Sequence, residues 1–311
     1  MASRTAVLIP CYNEAPAIAA VVREFRTQLP DASIYVYDNH STDRTAEEAR
    51  RAGAIVRSEP RKGKGYVMRA MFREVDADVY VVVDGDGTYP ADRVQALIEP
   101  VLRDEADMVV GSRLLAGEQS RLKLINWIGN RALRKLLNIS FGVRITDLLS
   151  GYRAMNRRVV KCVPVLSRGF EIETELTAKC LEQGYRVLEI PVALSERAVG
   201  TSSKLDRIRD GLLIVRTILA LARDYKPLTA FGSLGVIVIA VGVAVGLGVV
   251  TEYLATGLVP RLPTAVLSVG LVLAGLILTF VGVILHTIAR RFQLLDTQLR
   301  TLMEHVLSPR G

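Results

Sequence analysis

The chain has 311 residues, of which 50% are hydrophobic and 23% are charged, and its formal net charge is +8 at pH 7. This length accommodates one α/β domain of about 200 residues together with a membrane module. The basic residues gather beside apolar segments near the carboxyl end, where anionic lipid is the simpler partner, so we do not expect nucleic acid as a partner.

The first half of the chain alternates short β-branched runs with segments of helical period, which predicts an α/β fold with a parallel sheet. The predicted strands are Ala6–Ile9, Ser33–Tyr37, Ala54–Arg57, Val79–Val83 and Met108–Val110. The predicted helices are Ala15–Gln28, Thr45–Ala52, Lys64–Glu74 and Ala91–Arg103. Ligands of open sheets bind beyond the carboxyl ends of the strands, so the segments after strands one, two and four are candidate functional positions.

Polar segments follow the first two predicted strands, PCYNE at 10–14 and DNHSTD at 38–43. Tyr12 can stack on a base, Glu14 can accept a hydrogen bond from a ribose hydroxyl, and Asp38 can accept one from a base N–H. Each segment taken alone is more typical of a turn with a helix N-cap. Together, at the ends of adjacent strands, they predict a nucleoside pocket.

A basic glycine turn, RKGKG at 61–65, comes just before the third predicted helix. Its glycines allow close approach of the backbone, and lysines such as Lys64 at a helix amino terminus favour an anion. A lone turn of this composition is more often a solvated loop. Its position between the nucleoside segments and an acidic run favours the anion site.

Asp84 and Asp86 follow a predicted strand of four valines and one tyrosine. Alternation along an extended backbone would place both side chains on the same side. Hard carboxylate ligands of this kind suit Mg²⁺ or Mn²⁺ bound together with substrate phosphates. The alternative is an Asp-Gly turn that only closes the strand. We predict a divalent metal site at Asp84 and Asp86.

Basic amphipathic patterns precede the apolar end of the chain. Leu122–Val143 interleaves basic and apolar residues, which predicts a helix on the bilayer surface or, alternatively, a domain helix with a solvated basic face. Lys204–Tyr225 repeats this character just before the first apolar stretch and predicts an interfacial juxtamembrane helix. The tail Phe292–Leu307 is amphipathic as well, and we assign no chemistry to it.

Two stretches, Pro227–Thr251 and Leu262–Ala289, contain no charged residue. Each exceeds the roughly 20 residues that a helix needs to cross the hydrocarbon core, so we predict transmembrane helices at 227–251 and 264–288. Buried core helices are the alternative. Basic residues flank the pair on both outer sides, whereas the connecting segment has only Arg261, which predicts that both ends face the cytoplasm.

The remaining targeting signals point to the same compartment. No secretory signal peptide is recognised at the amino end, so the large domain is expected in the cytoplasm, attached to the plasma (inner) membrane by a multi-pass anchor. Cys11, Cys162 and Cys180 lack metal-ligand spacing and are expected to be reduced cytosolic thiols. The predicted organisation is a catalytic domain at 1–200, a juxtamembrane helix at 201–226, the two spans and a cytoplasmic tail at 289–311.

Seven motifs occur in an order that resembles glycosyltransferase family 2, and within it the dolichol-phosphate mannose synthases and bacterial polyprenyl-phosphate glycosyltransferases. They are PCYNE, YDNHSTDRT, RKGKG, DGDGTYP, ADMVVGSR, TDLLSGYRAMNR and GFEIETEL. The resemblance covers Thr5 to about Leu205 and continues through DYKPL into the apolar pair, which is similar to the two-span undecaprenyl-phosphate glucosyltransferases. It implies a GT-A (Rossmann-like) domain followed by a transmembrane hairpin.

The resemblance also implies roles for particular residues. The nucleotide sugar would be held by Pro10, Tyr12, Glu14, Asp38, Lys64 and Asp84, the metal by Asp84 and Asp86, and the catalytic set would be Asp86, Arg113, Arg131 and Asp147. Arg113 would meet phosphate and Arg131 the lipid phosphate. Asp147 is the candidate base, although it could equally orient Arg153 or the acceptor.

Some positions depart from the family pattern or stay open. Asn39 stands where a second acidic residue is usual, and Thr88 replaces a frequent glutamine. Glu171 and Glu173 stand two residues apart in GFEIETEL, and we expect one of them to face the site and the other to be a solvated helix residue. These departures leave the base and the sugar open.

The function that these expectations favour is inverting, metal-dependent transfer of a hexose from a nucleotide sugar to a polyprenyl monophosphate. UDP-glucose or a related UDP-hexose is the first candidate donor and GDP-mannose the second. A non-catalytic tethered nucleotide-sugar binder, a polysaccharide synthase and a small transporter are the alternatives. The oligomeric state is open, with a homo-oligomer as one alternative.

Overall fold

The computed structural model describes residues 3–117, 131, 134–135, 138, 143–167, 169, 171–195 and 227–307. The chain divides into two compact units, residues 1–215 and residues 216–311. The predicted helix Lys204–Tyr225 lies outside the described residues, and so does most of Leu122–Val143. Within the latter, four described residues are helical, namely Arg131, Arg134, Lys135 and Asn138.

The first unit is built on a seven-stranded sheet with the order β3-β2-β1-β4-β6-β5-β7. The strands are β1 Thr5–Cys11, β2 Ser33–Asp38, β3 Ile55–Ser58, β4 Val79–Val82, β5 Met108–Ser112, β6 Arg153–Asn156 and β7 Val187–Pro191. The five predicted strands are confirmed with small shifts at their ends. The predicted parallel orientation of these five strands is confirmed, and β6, which the sequence did not predict, runs antiparallel between β4 and β5.

Helices cover both faces of this sheet. The described helices of the unit are α1 Ala15–Gln28, α2 Thr45–Arg51, α3 Lys64–Glu74, α4 Val94–Leu102, α5 Arg157–Cys162 and α6 Ile172–Glu182. A short 3-10 turn, Ala91–Arg93, leads into α4. The four predicted helices are confirmed, and the fourth is divided between this turn and α4.

Alternation along the strands supplies two apolar cores, one on each face of the sheet. In β1, Val7 and Ile9 pack with α1 and α4, while Ala6 and Leu8 pack with α3, α5 and α6. Burial on both faces explains why β1 and β4 are almost continuously apolar. The polar segments therefore begin only where these strands end.

The second unit contains two long apolar helices, α7 Pro227–Thr256 and α8 Leu262–Leu307. A Cβ on Gly235 would lie 2.6 Å from the carbonyl oxygen of Gly275, and the Ser268 hydroxyl donates to the carbonyl of Gly242 at 2.9 Å. Small residues thus allow the close backbone approach that is typical of helix pairs in membranes. Helix α7 and the part of α8 up to Phe292 are long and apolar enough to span a bilayer.

Candidate active site

The two polar segments after β1 and β2 lie side by side. Cys11 pairs with Asp38 in the parallel ladder, and the Asn39 amide donates to the Cys11 carbonyl at 2.8 Å. Pro10 is the penultimate residue of β1 and is half-buried. The structure therefore brings together the segments that carry Pro10, Tyr12, Glu14 and Asp38.

Hydrogen bonds fix these two loops to each other. The Asn13 amide donates to the Ser41 hydroxyl at 2.9 Å, and the Glu14 amide donates to the Thr45 hydroxyl at 2.8 Å. The Asn13 side chain accepts from the Thr42 amide at 2.8 Å, and its own backbone is left-handed, with φ 53°. Asparagine tolerates this conformation better than most residues. The start of α1 is thus capped by the neighbouring loop, which holds Tyr12 and Glu14 in place.

Asp38 retains an acceptor that the described residues do not satisfy. Its Oδ2 accepts from the Ser41 amide at 3.3 Å, whereas Oδ1 is buried and has no hydrogen-bond partner among the described residues. Buried polar atoms are rarely left in this state, and they are expected to meet a ligand or water. The Lys62 ammonium lies 5.9 Å from the ring centroid of Tyr12. A carboxylate acceptor and an aromatic ring beside a cation suit a nucleoside with its phosphates.

The hydrogen bonds of Asn39 explain why an amide, rather than the usual carboxylate, stands at this position. Asn39 is 7% exposed, and its side-chain amide donates to the carbonyls of Glu59 (3.0 Å) and Arg61 (2.8 Å). Its Oδ1 accepts from the Gly63 amide at 2.8 Å. Gly63 has φ 132°, which favours glycine, and it caps α3. A carboxylate would lack the two donated bonds, so Asn39 is what anchors the RKGKG loop.

We expect Asn39→Asp to loosen this loop. The buried carbonyl of Glu59 and the part-buried carbonyl of Arg61 would lose their donors, which costs about 1–3 kcal/mol. Hydrogen-exchange mass spectrometry of the full chain should show amide exchange at residues 59–66 faster by roughly tenfold or more. Asp31→Asn, an isosteric change at an exposed residue, is the matched control. Unchanged exchange at 59–66 in Asn39→Asp would contradict the anchoring role.

Lys64 joins two carboxylates beyond the end of β4. Its Nζ lies 2.6 Å from Asp84 Oδ1 and 2.5 Å from Glu173 Oε1. Burial alone would lower the pKa of Lys64, but the charges of Asp84 and Glu173 raise it above its ordinary value, so the side chain is an ammonium. Of the two glutamates at the start of α6, Glu173 therefore faces the site. Lys64 contacts the acidic run directly, in addition to opening α3.

The carboxylate of Asp84 rests against the backbone of Gly151. A Cβ at Gly151 would overlap the Asp84 carboxylate, so a side chain at this position would displace it. The Gly151 amide donates to the Tyr89 hydroxyl at 3.0 Å. Burial raises the pKa of Tyr89, which keeps this phenol protonated. Gly151 and Tyr89 thereby connect the DGDGTYP segment to the loop that precedes β6.

Asp86 lies on a turn rather than on an extended strand. Strand β4 ends at Val82, and Gly85 and Asp86 form a turn, so the alternation argument does not apply beyond Asp84. The Asp86 Oδ1 accepts from the Thr88 hydroxyl at 2.7 Å and from the Thr88 amide at 3.1 Å. Thr88 thus orients Asp86.

The carboxylates of Asp84 and Asp86 suit a hard divalent cation that is also bound by oxygens of the substrate. No group of three or more acidic, histidine or cysteine side chains that could hold a metal is found among the described residues. Asp84 is 32% exposed, and the glycine at 151 leaves room for its carboxylate. Mg²⁺ is commonly bound by one or two carboxylates plus phosphate oxygens and water. Asp84 and Asp86 would supply two ligands of such an ion, and water or the oxygens of a diphosphate would supply the rest.

Arg113 forms a bidentate ion pair with Asp147. Its Nε lies 2.7 Å from Oδ2, its Nη2 lies 2.8 Å from Oδ1, and its backbone amide donates to Oδ2 at 3.0 Å. Asp147 is fully buried. Both of its oxygens are engaged, which is a poor arrangement for proton abstraction and a good one for orienting a guanidinium. Of the roles left open for Asp147, the geometry favours orienting a cation, and that cation is Arg113.

Arg153, the other cation considered for Asp147, binds elsewhere. It is fully buried and donates to the carbonyls of Leu148 and Ser150, both at 2.9 Å. A third bond goes to the Thr177 hydroxyl at 2.7 Å. Arg153 therefore fixes the loop before β6 against α6.

Glu189 on β7 clamps the loop that carries Asp147. Its Oε1 accepts from the Asp147 amide at 2.7 Å, and its Oε2 accepts from the Thr146 amide (2.8 Å) and hydroxyl (2.9 Å). Thr146 in turn contacts the Ser112 hydroxyl at 2.8 Å. Two short loops are thus fixed so that Arg113 and Asp147 meet.

The family of this chain is shown by its similarity to known proteins. A family model described as "Glycosyl transferase family 2" matches residues 6–163, about half of the chain. The chain belongs to glycosyltransferase family 2. Its sheet and helices are those of the GT-A-like mixed α/β domain, followed by two apolar helices that could form a transmembrane hairpin.

Two curated relatives extend the comparison of this family 2 glycosyltransferase. Glycosyltransferase AglJ of Haloferax volcanii is 34% identical over 279 residues, which cover 89% of this chain and 91% of that protein. An undecaprenyl-phosphate mannosyltransferase of Micrococcus luteus is 28% identical over 244 residues, covering 73% and 98%. The chain thus matches these relatives over almost their whole length.

Among solved structures, glucosyl-3-phosphoglycerate synthase of Mycobacterium tuberculosis in complex with UDP has a TM-score of 0.59. It is 20% identical, and the match covers 70% of this chain and 79% of that one. At this identity the likeness establishes the fold of the glycosyltransferase domain.

The residues that the sequence singled out fall into three places in this glycosyltransferase. Residues 10–14 and 38 lie together, Lys64 contacts Asp84, and Arg113 pairs with Asp147. Arg131 is helical and exposed, and its contact with a lipid phosphate stays a prediction. Sequence reasoning missed Tyr89, Gly151 and Glu189. Tyr89 and Gly151 stand inside the quoted motifs, whereas Glu189 has no motif to mark it.

Proposed function

We propose that this glycosyltransferase transfers a hexose from a nucleotide sugar to a polyprenyl monophosphate at the cytoplasmic face of the membrane. The observation that carries the proposal is the Lys64–Asp84 ion pair beside the loops of β1 and β2, in a chain that also has two apolar helices. A relative named for undecaprenyl phosphate supports the choice of acceptor.

Different residues of the chain bind different parts of the nucleotide-sugar donor. Asp38, Tyr12 and Glu14 bind the nucleoside, and Lys64 meets the diphosphate. Asp84 and Asp86 would hold Mg²⁺ or Mn²⁺. When bound, this ion offsets the charge that develops on the departing diphosphate.

The acceptor needs alignment more than it needs a base. A phosphate monoester has its second pKa near 6, so its oxygen is largely anionic at neutral pH. Arg113, held rigid by Asp147, can orient that phosphate for attack on the anomeric carbon. Attack from the face opposite the diphosphate inverts the anomeric centre, which gives a β-linked product from an α-linked donor.

UDP-glucose or a related UDP-hexose is the favoured donor, because the two-span arrangement resembles the undecaprenyl-phosphate glucosyltransferases. GDP-mannose is the second candidate, and the Micrococcus luteus relative, named as a mannosyltransferase, favours it.

The test of the donor incubates the full chain in vesicles containing undecaprenyl phosphate with labelled UDP-glucose, UDP-galactose or GDP-mannose. Lipid-extractable label from UDP-glucose is expected. Label from GDP-mannose alone would select the second donor, and label from none would contradict the proposed reaction.

We further propose that α7 and α8 cross the membrane as a hairpin with both chain ends in the cytoplasm. In the connecting segment, Arg261 forms an ion pair with Glu252 at 3.4 Å, so its charge is offset, whereas Lys226, Arg290 and Arg291 flank the spans. A phosphatase that is active only outside the cytoplasm, fused after Gly311, should be inactive, and the same enzyme inserted after Gly257 should be active. Activity of the fusion after Gly311 would refute this orientation.

A further inference from the structure

We propose that Glu173 is a positioning residue for Lys64. When a divalent cation binds Asp84, Glu173 keeps its ion pair with the Lys64 ammonium, and the ammonium moves from Asp84 to the diphosphate. The inference rests on the proposed function for the identity of the cation and the diphosphate. It adds a role for a carboxylate that neither binds the metal nor touches the sugar.

The two carboxylates beside Lys64 are not equivalent. Glu173 is buried, with its side chain 6% exposed, whereas Asp84 is 32% exposed. Lys64 itself is 10% exposed. The ammonium therefore bridges an inner carboxylate, enclosed by protein, and an outer carboxylate that a ligand can reach.

The helix start that carries the inner carboxylate is held by its own surroundings. Glu173 lies in the first turn of α6, where a negative charge is favourable. The Thr177 hydroxyl donates to the Glu173 carbonyl at 2.9 Å, and it also accepts from the buried guanidinium of Arg153. Glu173 thus belongs to a rigid helix start with a second cation nearby, and it stays in place whether or not Asp84 changes partner.

Lys64 has a fixed backbone and a long side chain. As the first residue of α3, it follows Gly63, which is anchored to Asn39. Only the four-carbon stem needs to rotate for the ammonium to leave Asp84. The movement can therefore occur without rearrangement of the loop.

A divalent cation and an ammonium compete for the same carboxylate. Two positive charges within a few ångströms repel each other strongly in a partly buried site. With Glu173 present, the ammonium keeps one ion pair after it leaves Asp84. In Glu173→Gln, the buried Lys64 ammonium would depend on its ion pair with Asp84. A cation that binds Asp84 would have to break that pair, which is costly. Loss of the Glu173 charge should therefore weaken metal binding, and it should do so through Lys64.

A double-mutant cycle on the full chain in detergent tests this coupling. The four proteins are wild type, Glu173→Gln, Lys64→Met and the double variant, and the readout is the affinity for Mn²⁺ alone, from the resonance signal of free Mn²⁺. We expect Glu173→Gln to weaken Mn²⁺ binding about tenfold. Lys64→Met should strengthen it, because a competing cation is removed. In the Lys64→Met background, Glu173→Gln should change the affinity less than twofold.

The matched control is Glu175→Gln, which removes one negative charge from the same helix. Glu175 pairs with Lys179 at 2.8 Å, and Glu175→Gln is expected to leave the Mn²⁺ affinity unchanged. If Glu173→Gln does not fold, Glu173→Asp replaces it and should weaken binding by a smaller factor, again only when Lys64 is present.

Two results would overturn the inference. An equal loss of Mn²⁺ affinity with and without Lys64 would mean that Glu173 acts on the metal directly or through its field. An unchanged affinity in Glu173→Gln would mean that it has no such role. Because Mn²⁺ binding needs no acceptor, a cycle that shows coupling in a protein that fails to glycosylate lipid would reject the proposed function and keep the role of Glu173.

Discussion

Replacing Asp86 with alanine is expected to lower the initial rate of glycosyl transfer by roughly a thousandfold or more, while the protein stays folded and membrane-bound. Asp86 lies on the turn after β4, where Thr88 donates twice to its Oδ1. Alanine removes one of the two carboxylates that would hold the divalent cation, so charge on the departing diphosphate is no longer offset. Initial rates with Mg²⁺, with Mn²⁺ and with EDTA measure the effect.

Asp92→Ala is the matched control for Asp86→Ala. Asp92 is exposed and lies in the 3-10 turn that follows the same segment, so the same change there should leave the rate within about twofold. EDTA should reproduce the loss in the wild-type protein, and added Mg²⁺ should restore activity. Full turnover in EDTA, or an Asp86→Ala enzyme within a few fold of wild type, would rule out the metal role.

Arg131→Ala is expected to raise the KM for polyprenyl phosphate tenfold to a hundredfold and to leave the KM for the nucleotide sugar nearly unchanged. The reason is the loss of one charge-assisted contact to phosphate, worth about 1.5–3 kcal/mol. Asp38→Ala should show the reverse pattern, because its unsatisfied Oδ1 lies beside the loop that carries Tyr12. Steady-state kinetics with each substrate varied in turn provide both constants.

The control for Arg131→Ala is Lys135→Ala, a charge removed from an exposed residue of the same helical segment. It should change the KM for the lipid much less. If Arg131→Ala and Asp38→Ala weaken both substrates equally, the division of the site into a lipid side and a nucleotide side is wrong.

Regular periodicity explains why five of the seven strands were predictable. Strands β1, β2 and β4 are apolar runs that end in polar turns, and their alternation with α1 to α4 is readable in the sequence. Strand β6 is different, because RAMN is short and begins with a buried arginine. Its antiparallel pairing with β4 and β5 is a tertiary contact that leaves no local pattern.

The candidate site shows the same distinction. Residues within one motif, such as Asp84 and Asp86, were found because strand ends carry a local signal. The partners Glu173 and Glu189 come from α6 and β7, far along the chain, and only the folded sheet brings them to Lys64 and to the loop of Asp147. Because Gly85 and Asp86 form a turn, strand alternation does not determine on which side the Asp86 side chain lies.

The central claim is that the hexose is transferred to the phosphate of a polyprenyl lipid. Its most direct test is mass spectrometry of the lipid fraction after the full chain has been incubated with UDP-glucose and undecaprenyl phosphate, with released UDP measured in parallel. We expect undecaprenyl phosphate enlarged by one hexosyl residue, β-linked by NMR, with one UDP released for each lipid glycosylated. Release of UDP with free glucose and unmodified lipid, under conditions in which GDP-mannose also gives no lipid product, would contradict the account.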